Sequence, residues 1–310
     1  MGNRGDDYLA YVFAQNYPAS LFVGFAPPHF DVVTPFLTFD QMASLTSFDV
    51  DVVTICGGNF IWSVHQLQVI LAIARAVKAD GKMFNIRSVH VSRETVCLDT
   101  ASFTELALLA DEFTVRDSFS VSLCRDFGIQ SVYERDPLGE FIEENNSYSK
   151  ALESHELYVG CNFHNHGDES IDWYFEYLAT INHFSKRPLN LIYIIQCRHL
   201  THWQSNEAII AEMLFTRFGG RIKITSVDVS LSELLSSFRK LDLMLTNRTH
   251  GIIIANALGI QTIPSGIVDE KSHAQARDLG LPVVHLNENP HEAGRRVEAL
   301  INGSQTLIPT

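Results

Sequence analysis

The chain reads as an α/β protein built from two doubly wound, Rossmann-like domains facing one another across a cleft. Three observations predict this. Short apolar runs of strand length alternate with helix-period segments along most of the chain. At 310 residues there is room for two domains of ordinary size, each with its own core. A polar, acidic stretch, Gly139–Glu156, interrupts the alternation at mid-length before it begins afresh. The boundary is placed inside that stretch, with domains over 1–145 and 146–310.

In the first half, Ser20–Phe25, Val50–Cys56, Met83–Val91, Glu112–Val115 and Ser131–Tyr133 are strand candidates. Helical periodicity covers Asp6–Gln15, Ser63–Lys78, Ser102–Ala110 and Ser118–Phe127, the last with Ser118 as N-cap and Gly128 just past its end. The second half restarts with a strand at Leu157–Asn162, a helix at Ile171–Phe184, a strand at Leu189–Gln196 and a helix at Asn206–Phe218. Ile222–Thr225, Thr262–Ser265 and Val283–Leu286 read as further strands, Ser230–Phe238 and Pro290–Ile301 as helices.

Composition narrows the function. With 46% hydrophobic and 19% charged residues the chain is globular rather than disordered. A formal charge of −13 argues against a nucleic-acid partner, because phosphate backbones demand a basic face. Five scattered cysteines, with no CxxC pair, suit a reducing compartment. The N-terminus lacks an apolar signal core, and no apolar run is long enough to span a bilayer. The expectation is a cytoplasmic protein without a transmembrane segment, with a peripheral seat at the inner face of the membrane as a further option.

The segment Leu241–Ile263, LDLMLTNRTHGIIIANALGIQTI, carries most of the chemistry. A buried strand ends in a polar turn bearing Arg248 and His250, followed by Gly251 and an apolar helix. A guanidinium and an imidazole at a strand end where a helix begins form a site for an anion. An arginine capping a neighbouring helix and a core histidine are the structural alternative.

Other polar turns fall into line with it: Gly2-Asn3-Arg4-Gly5-Asp6-Asp7 at the start, the paired glycines of Cys56-Gly57-Gly58-Asn59, Val115-Arg116-Asp117 with Ser120, and Asp136-Pro137. Together with Arg248-Thr249-His250-Gly251 they resemble the polysaccharide pyruvyl transferase family across essentially the whole chain. The resemblance implies a fold similar to the two-domain GT-B glycosyltransferases. It also implies transfer of pyruvate from phosphoenolpyruvate to two sugar hydroxyls as a cyclic ketal. Phosphoenolpyruvate is then the donor substrate and no separate cofactor is called for. The acceptor is a sugar, an oligosaccharide or a lipid-linked glycan. Family members carry a strand before the Gly2–Asp7 turn, so the first domain is expected to lack that strand or to be truncated.

Such chemistry needs a clamp on two anionic groups, one acid, and a sink for hydroxyl protons. Arg248 fits a bidentate clamp on carboxylate or phosphate. His250 fits the general acid or a phosphate donor. Arg116 would close the anion pocket from the first domain, with a turn-holding salt bridge to Asp117 or Asp111 as the alternative. Substrate contacts are expected from Asn3, Gly5 and Asp6 (Asp6 reads equally as an N-cap) and from Gly57, Gly58 and Asn59. His164, Arg198 and Lys271 complete the set, Lys271 because it resembles a lysine that family members carry. His164, His166 and Asp168 raise the question of zinc, but no further histidine stands at motif spacing, so lining the cleft is the preferred reading. Arg248→Ala and His250→Ala are expected to abolish turnover with melting near wild type. A nucleotide-sugar glycosyltransferase and a non-catalytic glycan-binding relative are the competing functions.

Overall fold

In the computed structural model, the residues described are 4–16, 22–24, 36–38, 50–58, 61, 63–145, 155–164, 168–196, 207–225, 230–266 and 268–301. The chain divides into two compact units, one over Asp6–Glu140 and one over Met1–Gly5 together with Phe141–Thr310. Both are parallel α/β.

The first unit opens with α1 (Arg4–Asn16), whose Tyr8, Leu9, Val12 and Phe13 form one buried stripe. Asp6 therefore lies inside the helix rather than at its cap. Strands β1 (Phe22–Gly24) and β2 (Phe36–Thr38) pair in parallel with each other. The β2 strand escapes the sequence pattern because it is only three residues long. A four-stranded parallel sheet follows in the order β3 (Val52–Cys56), β4 (Met83–Val89), β5 (Glu112–Val115) and β6 (Val132–Tyr133). Its crossovers are α2 (Val64–Ala79), the pair α3 (Arg93–Leu98) and α4 (Thr100–Leu109), and α5 (Ser118–Asp126). The N-cap of α5 is Asp117, not Ser118: its carboxylate accepts the Ser120 N–H at 2.7 Å, making Ser118 the first helical residue. The stretch from Gly139 is not irregular at its start, because α6 runs over Pro137–Asn145. Pro137 opens it, the Asp136 carboxylate accepts the Leu138 N–H at 3.0 Å, and Leu138 and Ile142 are buried one turn apart.

The second unit has six parallel strands in the order β12-β11-β10-β7-β8-β9. In chain order these are β7 (Leu157–Asn162), β8 (Leu189–Tyr193), β9 (Ile222–Ile224), β10 (Leu243–Thr246), β11 (Gln261–Gly266) and β12 (Val284–His285). The helices are α7 (Asp168–Phe184), α8 (Glu207–Arg217), α9 (Leu231–Phe238), α10 (Thr249–Ala257), α11 (Glu270–Asp278) and α12 (Pro290–Ile301). Counted from β7, the strands run 3-2-1-4-5-6 across the sheet, so the winding reverses between β7 and β10. In an open α/β sheet the carboxyl ends of the strands at that reversal form the ligand crevice.

Each unit has its own core. Leu67, Leu71, Phe84, Ile86, Phe103 and Val115 fill the first. Tyr174, Tyr177, Tyr193, Leu214, Leu243 and Leu245 belong to the second, where Phe163 stacks on Tyr174 at 4.0 Å between centroids. Among the described residues no helix is long and apolar enough to cross a membrane.

Candidate active site

At the reversal, Thr246 of β10 pairs with Asn162 of β7. Beyond that pair the Asn247 N–H still donates to the Asn162 carbonyl at 3.3 Å. Asn247 ties the two turns together: its Oδ1 accepts the His164 N–H at 2.6 Å, and its Nδ2 donates to the His164 carbonyl at 3.3 Å and the Tyr174 hydroxyl at 3.0 Å. Arg248 is the extended N-cap residue of α10, and its N–H donates to the Thr246 hydroxyl at 2.9 Å. Its side chain makes no cap hydrogen bond.

His250 is the second residue of α10 and is buried. Gly251 follows because the helix starts hard against the strand: a Cβ there would stand 2.6 Å from the Thr246 Oγ1. The Thr249 hydroxyl lies 2.8 Å from that of Ser272, which also donates to the Asn247 carbonyl at 3.2 Å. Ser272 sits in the first turn of α11, where Asp269 caps its N–H at 2.9 Å. Two helix N-termini therefore meet at one turn, and their N–H groups favour negative charge there. Lys271 belongs to the same turn, with its Nζ 3.5 Å from Asp269. Desolvation pushes the Asp269 carboxyl up, but Lys271, Ser272 and Arg248 outweigh it and hold the group below its ordinary value.

The Arg248 side chain, which makes no cap hydrogen bond to α10, stands beside a carboxylate. Its Nε lies 3.0 Å from Oε1 of Glu207, a fully buried carboxylate, while Arg248 itself is 15% exposed. The other oxygen of Glu207 accepts from Asn162 Nδ2 at 2.8 Å and from the Gln196 N–H at 2.6 Å. Arg248→Ala would leave this carboxylate buried without its guanidinium, so an unchanged melt is not the physical expectation. Sequence reasoning missed Glu207, although a signal was present: Glu207, Ile210, Ala211 and Leu214 form the buried stripe of α8, and an acid in phase with such a stripe needs a partner.

In the first unit, Arg116 follows β5 and is 2% exposed, with its Nη1 2.9 Å from Asp136 Oδ2. Neither Asp117 nor Asp111 is its partner. Asp111 holds Lys78 at 2.8 Å, and Asp117 holds His90 Nδ1 at 2.8 Å. Burial opposes ionisation of Asp117, but His90 and Ser120 outweigh it and keep its carboxyl below the ordinary range. A bulge in β4 sets up this arrangement. Arg87 and Ser88 together oppose Thr114, and Ser88 takes φ 52°, held by the Thr114 hydroxyl at 2.8 Å and the Arg135 carbonyl at 3.1 Å. His90 is thus a buried member of the strand-end cluster.

Gly57 and Gly58 end β3 with φ 65° and 66°. The left-handed φ of Gly57 is what favours glycine there; a Cβ would also meet the Leu9 Cδ1 at 2.8 Å, a side-chain tip that can shift. Gly5 and Asp6 are placed only by their backbone in α1. Asn3, Asn59, His166 and Arg198 lie outside the described residues. Among those described, no group of three or more His, Cys, Asp or Glu is placed to hold a metal ion. Burial pushes the Cys56 thiol up to about 12 and Cys124 to about 11, which makes them packing residues rather than nucleophiles.

Solved structures share this architecture. The S. aureus MnaA–UDP complex is 12% identical with a TM-score of 0.66, over 97% of this chain and 86% of that one. UDP-GlcNAc 2-epimerase from Methanocaldococcus jannaschii is 12% identical with a TM-score of 0.57, over 96% of each chain. The apo lipopolysaccharide outer core galactosyltransferase WaaB is 13% identical with a TM-score of 0.51, over 97% and 86%. At these identities the likeness is one of fold, the two-domain GT-B-like class. No curated protein matches the chain. The sequence profile described as polysaccharide pyruvyl transferase matches residues 3–267. A match of that length runs through both units and past the Arg248–Gly251 turn, and the chain therefore belongs to the polysaccharide pyruvyl transferase family.

Proposed function

We propose that the chain transfers the pyruvyl group of phosphoenolpyruvate to two hydroxyls of one sugar, forming a cyclic ketal in the assembly of a cell-surface or secreted polysaccharide. The observation that carries this reading is the turn of Arg248 and His250 at the strand-order reversal, in a chain of this family. The donor presents a carboxylate and a phosphate on one reacting carbon. Its methylene takes a proton, which leaves that carbon electron-poor. A first hydroxyl adds, phosphate departs with the electrons of its C–O bond, and a second hydroxyl adds to the same carbon. One of the two hydroxyl protons replaces the proton given to the methylene, and the other leaves with phosphate.

In this reading the Arg248 guanidinium grips one anionic group of the donor, with Glu207 3.0 Å from its Nε. The N-terminus of α10 and Lys271 add positive potential, and His250 supplies the acid or a hydrogen bond to phosphate. His164 lines the same edge. Arg116, Gly57 and Gly58 are proposed substrate contacts of the first unit. The acceptor is a sugar, an oligosaccharide or a lipid-linked glycan at the inner face of a membrane.

Incubation with phosphoenolpyruvate and an acceptor panel tests the reading. Phosphate release matched by a new ketal methyl signal is expected. No release with any acceptor would count against it. Because one structure of similar fold is a UDP complex, calorimetry with UDP and phosphoenolpyruvate separates the rival: tight UDP binding in preference to phosphoenolpyruvate would favour a nucleotide-sugar transferase.

A further inference from the structure

Glu207 is the first residue of α8, and three strand ends of the second unit meet on its carboxylate: Asn162 from β7, Gln196 from beyond β8 and Arg248 from beyond β10. A leucine or methionine at this point of the α8 stripe would fill the core without the cost of burying a charge. What the charge adds is direction. An arginine on a turn has many rotamers, and a buried carboxylate 3.0 Å from its Nε limits them to those that keep the guanidinium beside it. The carboxylate is in turn held by a backbone N–H and a side-chain amide on its far oxygen, so it cannot swing with the arginine. It also stands in the first turn of α8, where the helix favours a negative group.

We propose that Glu207 is a positioning residue of the donor site, acting through Arg248, and this rests on the reading of Arg248 as an anion clamp. Glu207 touches no substrate. It fixes the guanidinium before the donor arrives, so its removal weakens donor binding more than the chemical step.

Glu207→Gln, Arg248→Ala and the double variant test this. With Glu207→Gln, KM for phosphoenolpyruvate is expected to rise about tenfold while kcat changes by less than about threefold. In the Arg248→Ala background, where turnover is lost, Glu207→Gln is expected to add nothing to the loss of phosphoenolpyruvate binding read by calorimetry, because its effect passes through the missing guanidinium. The melt provides a second readout: Arg248→Ala lowers the midpoint by stranding a buried carboxylate, and adding Glu207→Gln restores part of it. Should Glu207→Gln fail to fold, Glu207→Asp, which keeps the charge but draws it back by one methylene, is expected to show the same rise in KM. Unchanged KM in a folded Glu207 variant, or additive losses in the cycle, would overturn the proposal. If the wild type turns over no acceptor and binds no phosphoenolpyruvate, the functional reading fails. The positioning role falls with it, whereas a wild type that binds phosphoenolpyruvate while Glu207→Gln binds it equally well overturns the positioning role alone.

Discussion

Arg116 and Asp136 are buried together, at 2% and 3% exposure, and 2.9 Å apart. Two charges in such a place stabilise each other only as a pair, and either one alone is costly. Arg116→Ala is therefore expected to lower the stability of the first unit by about 3–5 kcal/mol, read from the urea midpoint. A loss below about 1 kcal/mol would mean that the pair is effectively solvated. Asp136 has a second task, since its other oxygen caps Leu138 at the start of α6. Arg248 differs at this scale: its partner Glu207 is fully buried, but its own side chain keeps 15% exposure.

Among the elements, the junction of β10 and α10 sets the geometry of the site. The helix begins within three residues of the strand end because Gly251 lets its first turn lie against Thr246. Gly251→Ala places a methyl 2.6 Å from a hydroxyl that already accepts the Arg248 N–H. The expected cost is about 1–3 kcal/mol of stability, together with a rise in donor KM as the turn is pushed outward. Wild-type KM and melting in that variant would show that the strand end can yield without moving Arg248. The same logic holds for α5 and α11, where Asp117 and Asp269 accept the N–H of Ser120 and Ser272 and so fix where each helix starts.

On the scale of the whole molecule, an excess of thirteen negative charges surrounds a proposed site for an anion. The site's own cations each stand beside a carboxylate, Arg248 by Glu207 and Lys271 by Asp269, so oriented N–H donors at the helix start must add to the attraction that the cations supply. The two cores are separate clusters of side chains. Native-state hydrogen exchange is expected to respect that division: Arg116→Ala should speed exchange of β4 and β5 amides while β7 and β10 keep their protection. Equal loss in both sheets would show that the two cores open as one.

Periodicity and turn chemistry by themselves determined the α/β class, most elements of the second unit (Leu157–Asn162 and Pro290–Ile301 to the residue) and the Arg248–Gly251 turn. These are local properties, since a buried parallel strand is an unbroken apolar run and a helix start announces itself by its cap. Short elements such as β2 and α3, and α6 within a polar stretch, left too weak a pattern to read. Only the tertiary structure decided the partners of the charged groups. Arg116 joins Asp136 across 20 residues, Arg248 joins Glu207 across 41, and His90 joins Asp117 across 27. Parallel crossovers carry each strand end far along the sequence from its neighbour in the sheet, so which acid meets which base is set by strand order, and strand order is not written in any local stretch of residues.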